Sequence, residues 1–424
     1  MNRKIQFVVI TFSVLLVGML LLGASTKKQS SPEETYRHIG VFTEVLSKIK
    51  SDYVEEPDMK NVTLGALNGL LESLDPYASY LGPDQYKQYV KVSAEAKADV
   101  GLILAKRFGY IAIVGSIPGS PADKAGLATG DMLETINNVN TRDMPLAYAE
   151  IMLKGDAGST IEFSVLRFTR PEPQKVTLTR APVTLPAVTN KMLPDSIGYI
   201  QVQSLAGNRA AEVEAAVKSL EKQGAKKFIL DLRNCATGDP AQGAAVANLF
   251  QDQALLAYIE GQKQTRKNLE ADATKVVTKL PVTVVTNRGT AGAAEVAASA
   301  LLETKRAAVV GERTYGDAAV RKTIMMDDGA AVILSVAKYY SPSGKAIQDT
   351  GVTPSVPVLD QQNVPTGDED EDAPKAEPKK STEDEILKKA IEIAIKGLPP
   401  ETAAAAKAGA GDSGLGPLNI PKPQ

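Results

Sequence analysis

The sequence has almost no cysteine and almost no histidine. Its 424 residues contain one cysteine, Cys235, and one histidine, His38. A single cysteine excludes a disulfide within the chain and a thiolate metal cluster. A single histidine excludes a metal site built from several imidazoles. Because His38 lies close to a long apolar N-terminal segment, a Ser-His-Asp triad is also disfavoured. We therefore expect no metal or other cofactor.

A strong charge of either sign is also missing. The formal net charge is -2, from 48 basic and 50 acidic residues, so nothing points to nucleic acid as a partner. Hydrophobic residues make up 43% and charged residues 23% of the chain. This composition and length predict two or three globular domains with separate cores.

Residues 1–25 are predicted to be a signal sequence or a membrane anchor. Basic residues precede an apolar run over 5–24 that only three polar residues interrupt. Positive charge ahead of such a run keeps the N-terminus in the cytoplasm and directs the rest of the chain to the other side of the membrane. Small residues at 23–25 suit a signal peptidase, whereas a run of about twenty residues suits a membrane span. We expect an anchor, and it contains no cysteine that could carry a lipid.

Helical periodicity marks the next stretch, 26–97, which is predicted to be a helical N-terminal region. Apolar residues recur three and four positions apart, and the segment 73–81 interrupts the pattern. The apolar stripes of these helices need a partner surface to cover them.

A turn-rich motif marks the stretch 98–182. Pro121-Ala122 begins a short predicted helix, Ala125-Gly126-Leu127 ends it, and Gly130-Asp131 leads into a strand. Strands are predicted at 101–104, 110–114, 132–136, 161–167 and 175–179, and helices after Pro121 and Pro145.

This pattern resembles the PDZ domains of exported bacterial proteins. The resemblance implies that the loop Val100-Gly101-Leu102-Ile103 holds the C-terminal carboxylate of a peptide on its backbone N–H groups. The peptide would then add a strand to the edge of the sheet. The alternative is an ordinary hairpin edge without a ligand.

Strands and helices alternate over residues 183–360, as is typical of an α/β domain. Strands are predicted at 197–203, 227–232, 255–259, 282–286, 307–311 and 330–336, with helices at 210–223, 240–250 and 293–303. The strand, loop and helix over 282–303 form the place where such an enzyme often holds its nucleophile, because a helix N-terminus offers N–H groups to a developing negative charge. The loop 287–294 contains no serine and no cysteine.

Short motifs between residues 36 and 397 agree in order and spacing with those of one protease family. They are Ser51-Asp-Tyr-Val54, Ser73-Leu-Asp-Pro76, Ser79-Tyr-Leu81, Ile197-Gly-Tyr-Ile200, Leu230-Asp-Leu-Arg-Asn234, Val310-Gly-Glu312, Thr314-Tyr-Gly316, Tyr339-Tyr-Ser-Pro-Ser-Gly344, Ala346-Ile-Gln348 and Gly351-Val352. On these motifs the chain resembles the carboxyl-terminal processing (tail-specific) proteases, a family of serine peptidases. The resemblance implies an α/β protease-like core with an inserted PDZ domain (β-rich, two helices), a helical N-terminal region and an N-terminal membrane segment.

The C-terminal part changes in composition. Residues 361–380 include five consecutive acids and are predicted to be an acidic disordered insert. A C-terminal helix of the core is predicted over 381–398, opened by a capping box at Thr382 and Glu385. The Ala-, Gly- and Pro-rich remainder, 399–424, is predicted to be a disordered tail.

The resemblance implies three catalytic side chains, and this sequence lacks all of them. The family uses a serine whose proton is taken by a buried neutral lysine, which a glutamine positions. Laid on the family's N-x-x-S-A-S-A-S-E loop, the serine position is Gly292. The lysine position is Asp317, which follows Gly292 by 25 residues as in the family, and the glutamine position is Arg321.

The side chains that replace them suit an inert cleft. Glycine has nothing to attack a carbonyl with, and a carboxylate at 317 would repel an oxyanion. Asp317 and Arg321 could instead form an ion pair. In the oxyanion region the family's Gly-Gly pair is reduced to Gly238.

Other groups are weaker candidates for a nucleophile or base. Thr290 and Lys322 would need a shift of register. Ser335 and Lys338 match the S-x-x-K pattern of penicillin-recognising enzymes, but they lie in a predicted strand, where positions i and i+3 point to opposite faces. Cys235 has no histidine beside it to act as a base.

Two functions follow as hypotheses. The first is an exported, membrane-tethered pseudoprotease without the Ser-Lys dyad that binds unstructured or apolar protein C-termini through its PDZ groove. It would act as a scaffold or regulator, with an active homologous protease or a second copy of itself as partner. The second is an active serine-type endopeptidase that cuts exported proteins from their C-terminal region. Both place the chain in the bacterial cell envelope, anchored in the inner membrane with its domains in the periplasm.

Overall fold

The computed structural model describes residues 32–142, 144–167, 170–359 and 384–397. The chain divides into an N-terminal unit, Met1–Leu64, and a larger unit, Gly65–Gln424. The described part of the N-terminal unit is helical, with α1 at Pro32–Asp52 and the beginning of α2, Met59–Glu72. Within the described ranges no helix is long and apolar enough to cross a membrane. The predicted membrane segment, 1–25, lies outside them, as do the predicted insert 361–380 and tail 399–424.

The larger unit continues with β1 (Ser79–Leu81) and α3 (Pro83–Glu95) and then forms the predicted β-rich domain. The elements of that domain are β2 (Leu102–Arg107), β3 (Tyr110–Ser116), α4 (Pro121–Lys124), β4 (Met132–Ile136), β5 (Val139–Asn140), α5 (Leu146–Leu153), β6 (Thr160–Arg167) and β7 (Arg170–Thr179). The strand order β2-β3-β4-β6-β7 leaves β2 at an edge of the sheet. Helix α5 packs beside β2, an arrangement in which a strand added to the edge of the sheet would lie next to the helix.

The α/β core follows. Its elements are β8 (Thr189–Leu193), β9 (Ile197–Gln201), α6 (Arg209–Lys222), β10 (Lys227–Asp231), α7 (Pro240–Asn248), β11 (Leu255–Glu260), β12 (Lys267–Glu270), β13 (Val282–Thr286), α8 (Ala293–Glu303), β14 (Ala307–Gly311), β15 (Ala319–Met325), β16 (Ala331–Tyr340), β17 (Val356–Pro357) and α9 (Glu385–Lys396). The strands β13 and β14 and the helix α8 have the bounds predicted from the sequence.

The central sheet has the strand order β17-β14-β13-β10-β9-β8. All neighbours are parallel except β8, which runs antiparallel to β9. Alternate residues of a strand face opposite sides of a sheet. Val284 accordingly joins the apolar cluster under α6, α7 and α8, and Val285 joins the cluster under α9. Every residue of β13 is buried, which places the following loop at the centre of the sheet's carboxyl edge.

A second sheet, with the strand order β1-β16-β11-β12 and β15 paired to β16, lies in the same unit. Residues Ser335 and Lys338 fall within β16, as predicted, which removes the helical geometry that an S-x-x-K site requires.

The helix α9 is held to the central sheet by an ionic cluster around Arg233. The guanidinium bonds to Asp231, which is fully buried, and also reaches Asp384 with N–O contacts of 2.8 and 2.9 Å. Asp384 is the N-cap of α9, and its side chain accepts the N–H of Leu387. The predicted cap, Thr382, lies outside the described residues, and the structure gives the capping role to Asp384. Its carboxylate serves both the helix N-terminus and the arginine.

Candidate functional site

Gly292 forms the sharp turn between the loop after β13 and the helix α8. It is the N-cap of α8, with φ 61° and ψ -119°, a conformation that residues with a side chain rarely adopt. A strained turn from strand to helix is how α/β hydrolases expose a nucleophile. A Cβ placed on Gly292 would meet one atom beyond its chain neighbours within 4 Å, the carbonyl oxygen of Asp317 at 3.5 Å. The turn therefore has the shape of a nucleophile site, and the space for a small side chain, without the nucleophile.

Glu295 ties this turn to the loop that carries Asp317. One carboxylate oxygen accepts the Thr314 hydroxyl and the Gly316 N–H (2.7 Å), and the other accepts the N–H groups of Asp317 (2.8 Å) and Gly292 (3.0 Å). The side chain is fully buried. Burial raises the pKa of Glu295 to about 7, although its four donors favour the ionised form. The Glu295 carboxyl group therefore holds Gly292 and Asp317 at a fixed distance from each other. These are the two positions that the resemblance assigns to the dyad.

Asp317 and Arg321 form the ion pair that the sequence suggested. The Arg321 guanidinium also lies over the ring of Tyr77, 3.8 Å from its centre, a favourable cation–π arrangement. Tyr77 is 4% exposed and lies beneath the Arg321 guanidinium. The site is therefore filled by a carboxylate, a guanidinium and a phenol ring.

Other acidic groups lie near Asp317 in this cleft. Burial raises the pKa of Asp317, and the nearby Asp75 and Asp349 raise it further, while Arg321 lowers it. In the part of the chain that the structure describes, no group of three or more His, Cys, Asp or Glu side chains is placed to hold a metal ion.

Two of the substitute nucleophiles, Thr290 and Cys235, are fully buried. The hydroxyl of Thr290 is fully buried, donates to the Leu232 carbonyl at 2.9 Å and accepts the Asn287 N–H. Cys235 is also fully buried, and burial raises the pKa of its thiol to about 12, so the reactive thiolate is suppressed. Lys322 is exposed on β15.

Gly238 lies in the loop after β10, where the family forms its oxyanion region. Its φ of 131° and the Leu205 backbone, 2.3 Å from a Cβ placed there, require a glycine. The same loop contacts the nucleophile turn, because the Cys235 carbonyl accepts the Ala291 N–H at 2.9 Å. The loop thus keeps its position beside the turn.

The predicted peptide-binding loop lies at the start of β2. Val100 is fully buried, and Leu102 is 8% exposed. Ile103 is partly buried and packs against the same apolar cluster as Tyr148 and Met152 of α5. Gly101 has φ 80°, and a Cβ on it would lie 2.3 Å from the Ser120 Cβ. A bulky residue at 101 would disrupt the loop itself, so it is a poor probe of ligand binding.

The β-rich domain is in direct contact with the loops that carry Gly292 and Asp317. Ala291, next to Gly292, packs in the same apolar cluster as Val100 and Leu102. Arg107, at the end of β2, donates to the Tyr315 hydroxyl at 3.1 Å and lies over its ring. The sheet edge that would take a peptide therefore ends at the loop that carries Asp317.

The sequence pattern did not identify Tyr77 or Arg107 as parts of this cleft. Tyr77 follows the Ser73-Leu-Asp-Pro76 motif, which was the only available signal for it. The contacts of Arg107 with Tyr315 join positions far apart in the chain, so no local pattern could reveal them.

Comparisons with known proteins agree with this geometry. Peptidase family S41 matches residues 196–358, and the PDZ domain matches residues 113–167. The chain is similar to the carboxy-terminal processing protease CtpA of Bacillus subtilis, with 31% identity over 83% of this chain and 76% of the relative. It is also similar to a carboxyl-terminal-processing protease of Synechocystis, with 29% identity over 83% of this chain and 87% of the relative.

A solved structure gives the same result. The photosystem II D1 C-terminal processing protease matches with a TM-score of 0.63 and 27% identity, covering 76% of this chain and 92% of that one. The chain therefore belongs to the carboxyl-terminal processing protease family of serine peptidases and contains the family's PDZ domain.

Proposed function

We propose that this chain is a pseudoprotease, a member of a protease family that no longer cleaves peptide bonds. The observation that carries the proposal is the set of side chains at the former dyad. Gly292 occupies the nucleophile turn, and the Asp317–Arg321 ion pair occupies the place of the lysine and the glutamine. A Ser-Lys mechanism needs a hydroxyl group and a neutral amine in contact, and neither is present at these positions.

The chain's remaining function is to bind polypeptide through the PDZ groove. The exposed edge of β2 and the neighbouring helix α5 supply the two walls that a PDZ domain uses to hold an added strand. The partly buried Ile103 and Met152 offer apolar contacts there. The ligand is an unstructured, apolar protein C-terminus, the kind of segment that this groove geometry accommodates.

Binding without cleavage suits a scaffold or a regulator. The chain holds such C-termini for an active homologous protease, or associates with a second copy of itself. An N-terminal segment with basic residues ahead of a long apolar run supports a location at the inner membrane, with the domains in the periplasm.

A capture experiment distinguishes this function from active proteolysis. An unstructured reporter protein with an apolar C-terminus is incubated with the full chain, and the mixture is separated by size exclusion and examined by mass spectrometry. The expected result is an intact reporter that elutes with the chain. A reporter that shortens from its C-terminal region without forming a complex would establish the alternative, an active serine-type endopeptidase.

The matched control is the same reporter with its apolar C-terminal residues replaced by charged ones. We expect it to elute free of the chain, because the groove walls offer apolar contacts. Equal retention of both reporters would show that binding does not depend on the C-terminus, and it would refute the groove function.

A further inference from the structure

Asp99 precedes the peptide-binding loop and occupies one of the donors of that loop. Its Oδ1 atom accepts the backbone N–H of Gly101 at 2.8 Å. In PDZ domains the N–H groups of this loop hold the ligand's terminal carboxylate. In this chain an internal carboxylate already lies on one of them.

The backbone around this contact is fixed on both sides. The N–H and the carbonyl of Asp99 pair with Ala181 at 3.0 and 3.1 Å, and the carbonyl of Gly101 accepts the Ile117 N–H at 2.8 Å. A ligand that needs the Gly101 N–H must therefore rotate the Asp99 side chain away, because the backbone cannot easily move. The displaced carboxylate would lose a charge-assisted hydrogen bond and would still lie beside the ligand's own charge.

Nearby cations do not neutralise Asp99 by direct contact. Burial lowers the pKa of Arg180, and Arg180 is close enough to Asp99 that the charge of Asp99 raises that pKa. Its guanidinium, however, donates to the carbonyls of Leu153 at 3.0 Å, Met152 at 2.8 Å and Thr160 at 2.9 Å. Arg180 is thus engaged with backbone carbonyls and makes no ion pair with Asp99 in the described part of the chain.

We propose that Asp99 is a specificity-determining residue of the groove, which weakens the binding of free C-terminal carboxylates by occupying the Gly101 N–H and repelling a second negative charge. The inference rests on the proposed function, in which the groove binds protein C-termini. It adds that a C-terminus must displace the Asp99 side chain from the Gly101 N–H. Peptides that bind weakly to the rest of the groove would therefore not be retained.

The test compares two peptides and three chains by fluorescence anisotropy. The peptides have one apolar sequence, ending either in a free carboxylate or in an amide. The full-length chains are the native protein, Asp99→Ala, and the control Asp156→Ala. Asp156 is an exposed acid in the turn after α5 that makes no contact with Gly101. Asp156→Ala therefore changes the net charge by the same amount as Asp99→Ala and leaves the Gly101 contact in place.

The free-carboxylate peptide is expected to bind Asp99→Ala about tenfold more tightly than the native chain, because one charged hydrogen bond and one repulsion no longer oppose it. The amidated peptide should bind both chains equally, and Asp156→Ala should behave as the native chain does. Asp99→Asn, which keeps an acceptor for the Gly101 N–H without the charge, should show a smaller gain. That variant also covers the case in which Asp99→Ala does not fold.

Two contrary results have different meanings. Equal or weaker binding of the free-carboxylate peptide by Asp99→Ala and Asp99→Asn would overturn the role of Asp99 and leave the groove function standing. Failure of all the chains to bind either peptide would overturn both the inference and the proposed groove function.

Discussion

Replacement of Glu295 by glutamine should remove a loss of stability that the native chain undergoes as the pH rises. Glu295 is fully buried, and its pKa rises from 4.5 to about 7 in the folded chain. A group with a raised folded-state pKa contributes stability below its unfolded-state pKa, and this contribution is lost as the pH rises through the folded-state value. Glutamine cannot ionise, so Glu295→Gln should not show this loss. Its NH2 group accepts no hydrogen bond, so two of the four donors lose their acceptor, which lowers the stability of the variant by an amount that does not depend on pH.

The size of the effect follows from the shift in pKa. A shift from about 4.5 to about 7 corresponds to about 3 kcal/mol of unfolding free energy once both states are ionised. Part of this change has already occurred at pH 5, because the Glu295 side chain is mostly ionised there in the unfolded state. Between pH 5 and pH 8 the stability of Glu295→Gln relative to the native chain should therefore rise by about 2–3 kcal/mol.

Urea unfolding of both chains at several pH values measures this difference. Other acids titrate in both chains and largely cancel. The control is Glu303→Gln at the other end of α8, which makes the same chemical change to a partly exposed carboxylate that accepts the Ser343 N–H. If Glu295→Gln instead loses stability relative to the native chain as the pH rises, then the four donors hold Glu295 as a carboxylate and the reasoning is refuted.

Two further outcomes are expected. Arg233→Ala leaves the buried Asp231 without its cation. This substitution should lower the free energy of unfolding, measured by urea titration, by about 3–5 kcal/mol. A loss below about 1 kcal/mol would contradict a structural role for this ion pair. Gly292→Ser has room for its side chain but should remain inactive alone, whereas combination with Asp317→Lys and Arg321→Gln should yield measurable peptide cleavage, because only then are a nucleophile, a base and its positioning group present. Activity of the single Gly292→Ser variant would show that another group serves as the base.

The sequence predicted the buried elements of the core better than its edges. The strands at Val282–Thr286 and Ala307–Gly311 and the helix at Ala293–Glu303 match their predicted bounds, because continuous apolar or small-residue runs leave little ambiguity. The strand Ala319–Met325 was not predicted, since five of its seven residues are exposed and its sequence shows no alternation. Its pairing with β16 is a tertiary contact that local propensity does not encode.

The candidate site was also predicted only in part from the sequence. The sequence predicts the replacement of three catalytic side chains, because the resemblance places the family's positions at Gly292, Asp317 and Arg321. The phenol ring under Arg321 and the carboxylate on the Gly101 N–H were not predicted. The first depends on residues far apart in the chain. The second depends on a side-chain torsion that no sequence pattern specifies.

We propose that the turn at Gly292 has the shape of a nucleophile site without its chemistry. The most direct test is a prolonged incubation of the full chain with an unstructured protein substrate, followed by intact-mass spectrometry. We expect no cleavage products, because a glycine lies at the turn and an ion pair takes the place of the base. Products that accumulate in proportion to the concentration of the chain would contradict it and would establish a working peptidase.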